Sequence, residues 1–197
     1  TAEPNATVTV YSGSTSLGQA TAAAGGSYSF TLISALADGS YSITATATDG
    51  AGNISAASSI FSLLVDTAAP NVPTISATTP TNDTTPTFTG AAESGSLVTV
   101  YSGGASLGQA TADGSGNYSF TSSMVLVDGT YTITATAADN TGNISVASDS
   151  LSLVVDTAAP AAPTLIGTTP TTTNTPVLTG VAEANATVTA YSGDTAL

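Results

Sequence analysis

Residues 7–13 (TVTVYSG) return as residues 97–103 (LVTVYSG) and again as residues 187–193 (TVTAYSG), at a constant spacing of ninety. Aligned with itself at that offset, the chain is identical at roughly six positions in ten. These are tandem copies of one unit, so any fold must close within one period. A complete copy runs over 67–156. Residues 1–66 read as a copy without its first strands, and 157–197 as a copy without its last, as expected of a stretch from a longer array.

Within the complete copy, apolar residues alternate with Thr and Ser in short runs separated by Gly, Asp, Asn and Pro. That is the period-two pattern of strands with one buried face, and no run has helical periodicity. Strands are expected over 74–77, 87–92, 97–101, 106–111, 118–121, 131–137 and 150–155. Seven strands in one period match an immunoglobulin-like sandwich, so the fold expected is all-β: tandem seven-strand β-sandwiches in an elongated rod. Ile75, Phe88, Val98, Val100, Phe120, Ile133, Ala135, Leu151 and Leu153 are the inward candidates. Such a core is light in large side chains, and each unit should be modestly stable.

The copies are joined by residues 65–73 (VDTAAPNVP) and 155–163 (VDTAAPAAP). Proline fixes φ and pushes the residue before it to extended geometry, so these connectors are short and stiff. Function should lie at such joints.

The chain carries thirteen Asp and Glu with no Lys, Arg or His. Nucleic acid is excluded as a partner, because its affinity rests on basic contacts to phosphate. An anionic membrane surface is disfavoured for the same reason. No apolar run reaches a spanning length, so this segment inserts no membrane helix. Without Cys there is no disulfide framework, and without Lys no Lys–Asn isopeptide crosslink. Serine–histidine, cysteine–histidine and lysine chemistries are absent outright. A carboxylate pair could still serve glycoside hydrolysis, but acids repeating once per unit on end loops do not make one deep site. The reading is not an enzyme.

VDTAAP, then TNDTTPTFTGAAESGSLVTVYSGGASLGQATADGSGNYSF, then VDGTYTITATAADNTGN together resemble the bacterial immunoglobulin-like repeats of giant, type I-secreted, biofilm-associated-protein-like surface adhesins. The resemblance covers essentially the whole chain. It implies an extracellular place on a bacterial surface, a stalk or matrix-fibre role, and calcium between or beside domains.

The carboxylates sort by recurrence. Glu3, Glu93 and Glu183 share one position, as do Asp38 and Asp128, Asp49 and Asp139, and Asp66 and Asp156. Asp83, Asp113, Asp149 and Asp194 align with uncharged residues and read as solubility charges. In a seven-strand sandwich, the loop carrying Glu93 and the loop from Asp139 to Asn143 lie at the end where the unit begins, and Asp66 arrives there. Carboxylates gathered without a protein cation must splay, take protons or capture a metal. Ca²⁺ is the cofactor expected, since it takes six to eight oxygen ligands and needs neither His nor Cys. The candidate ligands are Asp66, Glu93, Asp139 and Asn143, with Asp156 and Glu183 at the next joint and Glu3, Asp49 and Asn53 in the first copy. Extracellular calcium modules bind at about 0.1–1 mM, so such sites fill outside the cell.

Structural roles compete with each of these. DNTGN and DGAGN are also plain turns, in which Asp and Asn bond their own backbone. Asp66 could be a solvated linker charge. Asp38 and Asp128 lie in LADGSY and LVDGTY, a tight turn before a tyrosine that resembles a tyrosine corner; the turn role wins there, although that turn faces the following copy and could lend a ligand. Asp113, Ser115 and Asn117 mimic the start of an EF-hand loop by chance.

The function expected is a non-catalytic stalk or fibre repeat of a bacterial surface adhesin or biofilm matrix protein, stiffened by calcium at its joints. Its partners are neighbouring repeats and like chains in a matrix or fibre. The alternative is a ligand-binding module for a glycan or receptor, using the outward tyrosines Tyr11, Tyr101 and Tyr191. Head-to-tail completion of one sandwich by complementary partial copies is a third arrangement.

Overall fold

The computed structural model describes residues 1–167, 169 and 171–197, and it is all-β. In the first copy, β1 (Thr7–Ser12), β2 (Thr15–Thr21), β3 (Gly39–Thr48) and β4 (Phe61–Val65) form one antiparallel sheet in the order β2-β1-β3-β4. The second copy contains β5 (Thr87–Ala91), β6 (Leu97–Ser102), β7 (Ala105–Thr111), β8 (Asn117–Thr121), β9 (Gly129–Ala138) and β10 (Leu151–Val155). Its β10-β9-β6-β7 sheet repeats that of the first copy, and a β5-β8 pair supplies the second sheet. The third copy contributes the short ladders β11 (Ile166–Gly167) with β12 (Leu178–Thr179) and β13 (Tyr191–Ser192) with β14 (Thr195–Ala196).

Six of the seven strands expected in the complete copy form at those positions to within two residues at either end. The first, over 74–77, is reduced to a bridge between Ser76 and Thr89, with the Thr74 and Ser76 N–H groups donating to Ala91 and Thr89 at 2.8 Å. The chain then leaves that sheet. At Thr81 it runs parallel to Val155, donating to Val154 and accepting from Asp156 at 2.9 Å. One segment thus serves both sheets in turn, which is why neither half is long enough to be a strand.

Alternation on β6 and β9 places Val98, Val100, Ile133, Ala135 and Ala137 in the core, and Phe88 and Leu153 enter from β5 and β10, all fully buried. Ile75, Phe120 and Leu151 pack against this core from partly buried positions, while Leu107, Tyr118, Leu126 and Val155 complete it from places the alternation did not single out. The Phe88 and Phe120 rings stack with centroids 6.3 Å apart. Fully burying a Val, Leu, Ile or Phe side chain stabilises by about 1.5–3 kcal/mol, so these few residues dominate the unit's stability.

Every one of the thirteen Asp and Glu side chains lies in a loop, outside the strands formed among the described residues. The sheet faces are neutral, and the charge is concentrated at turns and joints.

Candidate functional site

The linker Asp66 follows β4 directly. Its backbone carbonyl accepts from the Asn143 side-chain amide at 3.1 Å, and its Oδ2 accepts from the Thr141 hydroxyl at 3.3 Å. Asp139 Oδ1 accepts from the same hydroxyl at 2.8 Å, and Asp139 Oδ2 accepts from the Asn143 amide at 2.8 Å. Two carboxylates belonging to successive copies therefore meet on one threonine, and one asparagine ties the Asp66 backbone carbonyl to the Asp139 carboxylate.

The loop that presents them is built by its sequence. In D-x-x-G-N, the aspartate Oδ1 accepts the N–H groups two and four residues ahead: Thr141 and Asn143 for Asp139, Ala51 and Asn53 for Asp49, Ser115 and Asn117 for Asp113. The glycine at the fourth place has φ of 94°, 90° and 83° respectively, where a side chain is strained. Asp113 is thus a turn-former rather than a solubility charge. Asp83 is another, accepting from the Thr85 N–H at 2.8 Å and hydroxyl at 3.1 Å. Recurrence hides both roles, because the counterparts Ala23 and Thr173 in other copies are uncharged.

Partial desolvation raises the pKa of Asp139, but side-chain and backbone hydrogen bonds from Asn143 and Thr141 outweigh it and hold the carboxyl down at about 2. The Asn53 side chain lowers Asp49 in the same way. A folded pKa below the ordinary 3.8 means that this stabilisation is complete above pH 4 and is lost as pH falls through about 2. A carbon-detected NMR titration should find the Asp139 midpoint near 2. In Asn143→Ala it should move up toward the ordinary value.

The other expected ligands are placed apart. Glu93 uses its backbone carbonyl to close a turn with the Ser96 N–H at 3.0 Å and hydroxyl at 2.7 Å, and its side chain is exposed. Glu3 and Glu183 close the equivalent turns. In those turns Asn5, Gly95 and Asn185 take φ of 63°, 79° and 65°, a conformation that favours Asn and Gly. Glu183 Oε2 also accepts from the Ala161 N–H at 3.4 Å. Asp156 Oδ1 accepts from the Ala158 N–H at 3.0 Å, as Asp66 Oδ1 does from Ala68 at 3.1 Å. Glu3, Asp49 and Asn53 line a cleft of about 440 Å³ at the head of the first copy. Tyr11 and Tyr101 lie half-buried across Thr44 and Thr134, while Tyr191 is 64% exposed.

Among the described residues, no group of three or more acidic side chains is gathered closely enough to hold a metal. The joint does offer a hard-oxygen set: the Asp66 and Asp139 carboxylates, the Asp66 carbonyl and the Thr141 hydroxyl. That donor chemistry fits calcium, which accepts carbonyls and water beside carboxylates. Thr141, unremarked in the sequence, is the residue on which the two carboxylates converge.

A family model described as "Bacterial Ig-like domain" matches residues 1–67 and 74–157. The chain belongs to the bacterial Ig-like domain family. No curated protein sequence matches it. Among solved structures, one titled "Biofilm associated protein - BSP domain" is similar at 22% identity with a TM-score of 0.37, over 80% of this chain and 26% of that one. The bacterial Ig-like chain thus spans about a quarter of the length of that structure.

Proposed function

We propose that the chain is a non-catalytic, extracellular stalk or fibre segment of a bacterial surface adhesin, whose working parts are the joints between Ig-like repeats. The observation that carries this reading is the meeting of Asp66 with Asp139 on the Thr141 hydroxyl, in a chain without a single basic side chain. Neutral sheet faces with all acids in loops support it: among the described residues, the strands carry no carboxylate.

At the joint, Asp66, Asp139 and Thr141 would hold calcium, with Asn143 joining through its carbonyl once its amide turns. Bound there, calcium supplies the positive charge that the chain lacks and ties the linker to the loop. Asp139 keeps its carboxylate ionised well below neutral pH, so no proton competes for that place. Thr141 orients both carboxylates from the loop side.

Small-angle scattering on the 197-residue chain tests this. The maximum dimension should be greater and the flexibility lower in millimolar calcium than in chelator, and Asp66→Ala should remove the difference. A profile unchanged by calcium would sink the metal part of the reading. Repeats that reorient freely under both conditions would sink the stalk.

A further inference from the structure

The residue after Asp66 is held from the opposite side. The Thr67 N–H and hydroxyl both donate to Asp38 Oδ1, at 3.0 and 2.9 Å. Ninety residues later, the Thr157 N–H and hydroxyl donate to Asp128 Oδ1 at 3.0 and 2.8 Å. Each aspartate is itself anchored through its neighbour. The Tyr41 hydroxyl on β3 donates to the Ala37 carbonyl at 2.7 Å, and the Tyr131 hydroxyl on β9 donates to Val127 at 2.8 Å. The last ladder rungs, Gly39 with Val65 and Gly129 with Val155, lie immediately beside these clamps.

We propose that Asp38 and Asp128 are positioning residues that fix the direction in which each repeat hands the chain to the next, without any ion. Asp66 and Thr67 are consecutive in the chain. The following repeat grips Asp66 through Asn143 and Thr141, and the preceding repeat grips Thr67 through Asp38. A single peptide unit is therefore pinned from both sides, and rotation about it requires one grip to open. A carboxylate accepting two hydrogen bonds makes charge-assisted contacts, roughly twice as strong as neutral ones. The Asp38 oxygen is committed to Thr67, so it belongs to this exit clamp and not to a metal set. The clamp recurs unchanged at both exits, where the D-x-x-G-N loops differ: Thr141 has Ala51 as its counterpart in the first copy.

The inference rests on the tandem-stalk reading, and residual dipolar couplings on the ¹⁵N-labelled chain separate the two. The first two repeats of the wild type should share one alignment tensor in calcium, and in EGTA should keep its common axes with a smaller magnitude in one repeat, the residual motion that calcium removes. Asp38→Ala should lose those common axes in EGTA, while couplings within each repeat still fit their own structure. Thr67→Val, which keeps the N–H and loses the hydroxyl, should show a partial loss, and Thr67→Ser none. If Asp38→Ala also unsettles its turn, Thr67→Val against Thr67→Ser remains decisive, since both leave the first repeat's fold untouched. Common axes retained in both Asp38→Ala and Thr67→Val overturn the clamp alone. Independent tensors already present in the wild type under both conditions overturn the stalk reading and the clamp with it.

Discussion

Gly90→Ala should lower the unfolding free energy of the second repeat by about 2–5 kcal/mol, read from its urea midpoint. Gly90 lies on β5 where the incoming segment crosses, and a Cβ there would land on the Thr74 carbonyl oxygen and against the Tyr118 ring. The obstruction is backbone, so no rotamer change relieves it. That same carbonyl accepts the Tyr118 hydroxyl at 2.6 Å, and burial of that phenol pushes its pKa up to about 12. Moving the 74–77 segment aside breaks this bond in the interior and uncovers Ile75. The segment begins directly after the linker prolines Pro70 and Pro73, both buried, so the joint should loosen with it. Gly114→Ala is the control, because a Cβ at Gly114 meets nothing. It should leave the midpoint within about 0.5 kcal/mol of wild type.

The period-two signal located the strands because each β-strand in the second copy has one face against the apolar core. Val98, Val100, Ile133, Ala135 and Leu153 follow the alternation and are fully buried. Where a residue's role depends on two sheets at once, the alternation was silent. Tyr118 reads as one more aromatic on a strand, yet its hydroxyl stitches β8 to the incoming segment. The shortness of the 74–77 strand has the same origin, since changing sheets at Thr81 leaves no one-dimensional period to detect.

The joint was legible in outline for a different reason. Topology alone brings the linker to the end of the sandwich that carries the Asp139 loop, so the sequence pattern itself pairs Asp66 with Asp139 and Asn143. Thr141 is not marked in that pattern, because its counterpart Ala51 has no side-chain oxygen. The partner of Asp38 was hidden too. The recurring D-T of the linker and the recurring D-G-[ST]-Y turn are both visible in the sequence. Nothing in a linear reading says that Thr67, twenty-nine residues on, folds back onto Asp38.

The second large effect concerns Ser145 and Ser148, which look like ordinary loop serines. Both are buried, and their hydroxyls stand where ladder carbonyls should be. Ser145 Oγ accepts the Ala137 N–H at 2.9 Å and donates to Val146, while Ser148 Oγ accepts the Ala135 N–H at 3.0 Å and donates to Asp149. The chain between Asn143 and β10 follows β9 through these hydroxyls and through the Ser145 and Ser148 N–H groups, which donate to the Ala137 and Ala135 carbonyls at 2.8 Å. Removing one leaves a buried N–H on β9 without an acceptor, at a cost of about 1–3 kcal/mol. Ser145→Ala with Ser148→Ala should therefore lower stability by roughly 2–6 kcal/mol if the sites act independently, a large share of what a domain of this size holds. Hydrogen exchange should locate the damage, with the Ala135 and Ala137 amides losing protection before the rest of β9. Ser55 and Ser58 make the same bonds in the first copy, to Ala47 and Ala45. A loss of stability with the Ala135 and Ala137 amides still protected would show that the hydroxyls act through helping the strand curve away, not through satisfying β9.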